Sequence, residues 1–297
     1  MRLPPGPLVL ALVTGLVAAS GPALAAGLSL TSKRLTTYTK QLTAVTCTLT
    51  AAPNPSLVET DAYVREDAPV SNNGTATTIS IRSNSGARRY GLVRFDPSQC
   101  SIPAAAIVLS ATLKLVLTTA PGASRTYQVF RSSGAWSETS VTWTTRPGFQ
   151  SSSAIQTTLS GAITNAATNM MVADGSAFPA APFTVTVDSE TIRVGAKSGN
   201  TLSGLTRGYF GTVAAAHLAG AAVTLLSPTA SVATGTAAGV TLSANVVYDV
   251  QAFLAGATNN GWLVADADET TNATGALGAR ENAAAANRPQ LVIAYAT

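Results

Sequence analysis

The residues with the most evident chemical capacity lie in one short stretch, AWSETSVTW (135–143), where Trp136 and Trp143 flank Glu138. They are two of only three tryptophans in the chain, so their role bears on any binding site built from aromatic rings. An exposed indole can stack on a sugar ring, whereas a buried one removes a large apolar area from water and serves as core. A carboxylate beside them could act as a general acid, but glycoside hydrolysis needs a second carboxylate held across a cleft. No motif supplies that second group. On one continuous strand the two indoles would fall on opposite faces; Ser137 to Ser140 reads as a turn that brings both inward. Core packing is therefore the expectation for Trp136 and Trp143. For Glu138 it is a local cap or a pairing with a strand arginine. Trp262, after the turn Asn259-Asn260-Gly261, is expected to enter the core as well.

Other chemistry-bearing residues are sparse. The two cysteines, Cys47 and Cys100, are expected to form a disulfide if the chain is exported, adding on the order of 4 kcal/mol in the chain-entropy model. Two cysteines and one histidine do not make a closed zinc site. The lone His217 lies far from both thiols in sequence and is expected to be a hydrogen-bonded structural residue. Asp61, Arg280 and Glu281 sit near expected sheet edges. No cofactor is expected, although a structural calcium is compatible with such carboxylates, since Ca²⁺ takes six to eight oxygens. Pairing of Arg280 and Glu281 with strand neighbours such as Arg94 or Asp96 is the preferred reading. In ADADET, Asp266, Asp268 and Glu269 read as a solvated loop rather than a cation site. Tyr209 and Phe210, adjacent in a Gly-flanked turn, read as an exposed contact surface. There is no nucleophile elbow, metal-ligand cluster or phosphate loop, so an enzyme is not expected.

Composition agrees with an exported β-protein. Of 297 residues, 46% are hydrophobic and only 11% charged, which excludes a long disordered charged tail. The formal charge of +4 is scattered, with Lys33-Arg34 and Arg88-Arg89 the only adjacent basic pairs. A nucleic-acid binder would concentrate that charge, so no nucleic-acid partner is expected. Residues 1–26 carry a basic residue, an apolar run and the small residues of Ala23-Leu24-Ala25, the pattern of a secretory signal. The apolar run is too short for a membrane span, which takes about 20 residues. The mature chain is expected to begin near Ala26, to be secreted and to have no membrane span.

The elements that must position these residues read as short strands. ARRYGLVRFD alternates, with Tyr90, Leu92 and Arg94 on one side and Gly91, Val93 and Phe95 on the other. IVLSATLKLVL sets Ile107, Leu109, Ala111, Leu113, Leu115 and Leu117 inward. One short helix is expected in DVQAFLAGATNNG, with Asp249 as N-cap and Gly256 as its stop. Gly, Pro and Asn turns between many short strands indicate an all-β jelly-roll-like sandwich. Between about 160 and 228 the style changes, and linker-like Ser/Thr/Ala/Gly stretches flank that segment. It reads as an inserted small β-domain, separable from the rest. The expected division is a signal peptide at 1–26, an N-terminal extension at 27–56, the sandwich at 57–159 and 229–297, and the insert at 160–228.

The segments DAYVREDAP, YGLVRFD, IVLSATLKLVL, AWSETSVTW, YDVQAFLAGATNNGWLV and GARENAAAANRPQLVIAY resemble, in order and spacing, the DNRLRE domain family. That family is similar to carbohydrate-binding module family 96. The resemblance implies a jelly-roll sandwich that binds extracellular polysaccharide without turnover, or a structural or adhesive protein at the cell surface. RGYFGTVAAAHLAGAAV, preceded by VDSETIRV, resembles a small β-module of phage tail fibres and surface proteins, in which the Arg-Gly, Gly-Thr and Ala-His pairs look structural. With the tryptophans assigned to core, Tyr63, Arg88, Arg89 and Tyr90 are the expected ligand contacts. Because arginine pairs with carboxylates through two parallel bonds, and because the net charge is basic, an anionic polysaccharide is expected as the partner over a neutral one.

Overall fold

The computed structural model describes residues 43–52 and 60–297. The expected signal peptide and most of the N-terminal extension lie outside the described residues. The first strands are β1 (Ala44–Thr50), β2 (Thr60–Arg65), β3 (Thr78–Ser83), β4 (Arg89–Arg94), β5 (Ile107–Thr119), β6 (Thr126–Ser132) and β7 (Phe149–Gln150). The inserted segment supplies β8 (Gln156–Thr158), which lies before the expected boundary at 160, then β9 (Asn169–Met171), β10 (Phe183–Val187), β11 (Glu190–Val194), β12 (Ala196–Ser198), β13 (Thr201–Ser203) and β14 (Ala222–Leu225), the partner of β8. The chain then returns through β15 (Ala230–Ala233), β16 (Thr241–Asn245), α1 (Val247–Leu254), β17 (Trp262–Asp266), β18 (Ala273–Gly278) and β19 (Gln290–Ala296).

All strand pairings are antiparallel, and the fold is an all-β sandwich. The order β1-β19-β5-β18-β3-β4-β17-β6-β15, with β16 on β5, β2 on β4 and β7 on β6, makes one sheet of 12 strands that curls upon itself. The curl encloses a main core of Ile79, Ile81, Val93, Phe95, Leu113, Leu115, Leu117, Trp262, Leu277 and Ile293. The alternation of β4 does what its period demands. Val93 and Phe95 enter this core, while Tyr90 and Leu92 point to the opposite face and a second core. The disulfide joins β1 to the turn after β4, with Cα atoms of Cys47 and Cys100 5.8 Å apart.

Two local expectations are corrected. Leu113, Leu115 and Leu117 are fully inward, but Ile107 and Leu109 are 56% and 53% exposed. The register explains this: Ala294 pairs with Ser110 while Tyr295 pairs with Val108, so Leu109 is an extra residue in a β-bulge. One extra residue inverts the faces, and Val108 takes the inward place. Asp249 is not the helix cap, since α1 starts at Val247. Asp249 is buried instead, accepting from the Trp262 indole Nε1 and from Thr229 Oγ1, each at 2.8 Å.

The inserted segment makes two small sheets, β11-β10-β14-β8 and β12-β13-β9. It has its own core, built from Met170, Val185, Val187, Ile192, Val194, Leu202 and Val223. It is nevertheless not a detached unit, for the described residues from 43 to 297 belong to one compact body. Its turn delivers Tyr209 and Phe210, each 1% exposed, into the second core of the sandwich, beside Tyr90, Phe130 and Leu263. The expectation of an exposed aromatic pair is therefore corrected: the two rings pack on the sheet's outer face because its aromatic residues there need covering.

Candidate functional site

The stretch 135–143 lies over the outer face of β2, β4, β17 and β6. Trp136 and Trp143 are each 8% exposed and belong to the second core; Trp262 is fully buried in the first. Trp143 packs 5.0 Å from the Tyr90 ring. The Arg146 guanidinium lies 3.7 Å over the Trp143 ring, a cation–π contact, and donates to the Gly211 carbonyl at 2.8 Å. Gly211, at φ +67°, has no room for a side chain: a Cβ there would meet Trp143 at 2.5 Å. The Trp136 indole donates to the Asn260 carbonyl at 2.8 Å, and Arg94 sits 5.7 Å above its ring.

Glu138 is part of a buried ionic network. Its Oε1 accepts from the Asp61 amide at 3.2 Å and lies 2.6 Å from Arg280 Nε. The same Nε is 2.7 Å from Glu281 Oε1, and the Arg280 amide donates to Asp61 Oδ2 at 2.7 Å. Asp61, Glu138 and Glu281 thus offer carboxylate oxygens all within 4.8 Å of one another. Burial pushes the Asp61 carboxyl well above the usual range, against the Arg280 amide, with Glu281 and Glu138 adding to the rise. Burial also raises Glu138. This trio is the arrangement that calcium would need, but the guanidinium already stands between Glu138 and Glu281. A calcium ion would have to displace it and still gather six to eight oxygens. The donor set therefore fits an arginine counter-ion better than a metal. Arg280 and Glu281 pair as the sequence suggests, though with Glu138 rather than Arg94 or Asp96.

A second network ties the insert to the sandwich. Arg88 is 9% exposed and lies between Glu66 Oε1, at 2.9 Å, and Glu269 Oε2, at 2.8 Å. The fully buried Tyr90 donates its hydroxyl to Glu269 Oε1. Glu269 Oε2 also accepts from the Phe210 amide at 2.8 Å, and its own amide donates to Tyr209 Oη at 3.1 Å. Burial raises the Glu269 carboxyl, opposed by Arg88, the Tyr90 hydroxyl and the Phe210 amide. ADADET is accordingly not a solvated loop: Asp266 and Glu269 are 3% and 6% exposed, and Arg125 Nε lies 2.7 Å from Asp266 Oδ2. Sequence alternation could not reveal this, because the arginines that claim these carboxylates come from distant strands.

The four residues expected to bind ligand do not form one surface. Tyr90 has no exposed area and is core, and Arg88 is closed between two glutamates. Tyr63 and Arg89 are half-buried; Arg89 donates to Ser80 Oγ at 3.2 Å and approaches Asp67 at 3.5 Å. His217 is 3% exposed, with Nδ1 2.7 Å from Asp188 Oδ2 and Nε2 2.8 Å from Glu190 Oε2. Burial alone would raise Glu190, but Arg207, the Ala215 and Gly208 amides and His217 hold it down to about 2. The residue that sequence reasoning missed is Tyr248, 81% exposed at the start of α1. In sequence it stands in the apolar run Val246-Val247-Tyr248, with Val250 close behind, and nothing in that run marks the tyrosine as the member left exposed.

No helix among the described residues is long and apolar enough to cross a membrane. No curated protein matches the chain. The model of carbohydrate-binding module family 96 matches residues 53–171, which hold β2 to β7, the stretch 135–143 and the first two strands of the insert. Over that span, which is less than half of the chain, the sequence is similar to carbohydrate-binding module family 96.

Proposed function

We propose that the protein is secreted and binds an extracellular polysaccharide without cleaving it. The observation that supports this reading best is the family match over residues 53–171, laid on an all-β sandwich. The buried carboxylates Glu138, Glu190, Asp266 and Glu269 are paired with arginines, as a scaffold requires. The acidic preference inferred from net charge loses its basis here. Arg65 and Arg89 meet Asp67, Arg88 meets Glu66 and Glu269, Arg125 meets Asp266, and Arg207 meets Glu190. Net charge is then no guide to the charge of the ligand. The test is calorimetric titration of the chain from residue 27 with neutral and acidic oligosaccharides, followed by an assay for reducing ends. Saturable binding with no new reducing ends is expected. Absence of binding together with self-association would favour a structural or adhesive role; release of reducing ends would overturn the non-catalytic reading.

A further inference from the structure

We infer that the glycan site is the cleft between the first turn of α1 and the strand pair β6–β7, with Tyr248 as a stacking platform and Arg131 as its polar clamp. The inference rests on the carbohydrate-binding reading above and names where that binding occurs. The cleft encloses about 490 Å³ and is lined by Arg131, Ser151, Ser152, Thr229, Tyr248 and Asp249. That volume is within the ordinary range for small-ligand clefts. Tyr248 is the most exposed aromatic side chain among the described residues. A tyrosine ring offers an apolar face to the C–H side of a sugar and a hydroxyl at its edge.

Arg131 is held but not saturated. Its guanidinium lies 5.0 Å over the Phe253 ring and 4.0 Å from Asp249 Oδ1, beyond hydrogen-bond distance. No protein acceptor among the described residues takes its terminal N–H groups. Asp249 cannot swing away to claim them, because its Oδ2 is fixed by Trp262 Nε1 and Thr229 Oγ1. The planar fork therefore stands ready for two sugar oxygens. Ser152 Oγ donates to the Pro228 carbonyl at 2.8 Å, which leaves its lone pairs for a sugar hydroxyl.

The other surfaces offer less. The outer face of β2, β4, β17 and β6 is covered by residues 135–143 and by Tyr209 and Phe210. The opposite outer face aligns Thr46 with Ala294 and Ser110, and Thr48 with Val292 and Thr112, a surface of short side chains without a ring. A cleft of about 430 Å³ beside Trp136 has its indole N–H already engaged by Asn260. The charge of the Tyr248 cleft selects the ligand. Asp249 offsets Arg131, so a uronate carboxylate would have to compete with a fixed carboxylate for the same guanidinium. Vicinal hydroxyls of a neutral hexose or pentose chain face no such competition.

The test uses the chain from residue 27 and its Tyr248→Ala, Tyr248→Phe and Arg131→Gln variants. Each is titrated with β-glucan, xylan and uronate oligosaccharides, and thermal unfolding checks that each variant is folded. Neutral oligosaccharides are expected to bind the wild type, with at least tenfold weaker binding for Tyr248→Ala and Arg131→Gln and near-retention for Tyr248→Phe. Wild-type binding that neither alanine nor glutamine weakens would overturn the cleft and leave the carbohydrate-binding reading standing. Binding of uronates alone would overturn the neutral ligand class. Failure of the wild type to bind any of the three would overturn the functional reading, and this site with it.

Discussion

Glu138 does structural work: it accepts the Asp61 amide and meets the Arg280 guanidinium inside the protein. Removing one member of a buried ion pair leaves the other uncompensated, a loss of roughly 3–5 kcal/mol. Glu138→Ala should therefore lower the unfolding free energy measured in urea by an amount in that range, at unchanged slope; a change under about 1 kcal/mol would show the network to be dispensable. Asp61 allows a sharper test through pH. Its carboxyl is raised by burial, as are those of Glu138 and Glu269. The folded state then holds these protons more tightly than the unfolded chain. Their contribution is most favourable below the unfolded carboxylate value near 4 and declines as pH rises through the raised values. Glu190 has the opposite sign: held at about 2, its contribution is full above its ordinary 4.5 and is lost as pH falls towards 2. Asp61→Asn keeps an acceptor for the Arg280 amide and removes the desolvated charge. The fall in unfolding free energy between pH 5 and pH 8 should be smaller in this variant than in the wild type. An equal fall in both would assign the dependence to other groups. The sequence made Glu138's pairing with an arginine legible, but not which arginine, since Arg280 is 142 positions away (280 − 138).

At the scale of elements, the period of the strands was readable and its interruption was not. Alternation placed Leu113, Leu115 and Leu117 correctly because each has a packed neighbour inside the curl. It failed at Leu109 because a bulge is a property of two strands, and only the pairing with β19 exposes the extra residue. It failed at Asp249 for a similar reason: an acidic residue near a helix start resembles a cap, yet its partner is an indole 13 residues away. The pairing of Cys47 with Cys100, by contrast, follows from there being only two cysteines. This bond fastens β1, which among the described residues pairs only with β19. Replacing both cysteines by serine should cost about 4 kcal/mol if the loss is one of chain entropy. Urea unfolding of the double variant measures it. A loss well under 1 kcal/mol would mean that β19 alone holds the first strand.

At the scale of the whole molecule, the change of style near residue 160 marks a real structural boundary in one respect and none in another. The segment has its own sheets and its own apolar core, which a composition break can signal. It also gives Tyr209 and Phe210 to the sandwich, a debt between distant segments that no local pattern carries. Phe210 packs 5.6 Å from Phe130 and 4.8 Å from Phe149, and its amide binds Glu269. Removing residues 160–227 and closing the gap with a Gly/Ser linker would expose these rings to water. It would also deprive Glu269 of its amide donor while leaving Arg88 and Tyr90 against it. Fully burying one large apolar side chain stabilises by roughly 1.5–3 kcal/mol. Uncovering Phe130, Phe149 and the Tyr90 ring together, and discarding the buried Tyr209 and Phe210, takes away a large share of the usual 5–15 kcal/mol of a domain. The shortened chain should accordingly unfold at a much lower temperature or aggregate, while a version that retains 160–227 but carries Phe210→Ala should show an intermediate loss. Differential scanning calorimetry distinguishes the outcomes. A shortened chain with a sharp transition near that of the full protein would show that the sandwich closes its second core without the insert.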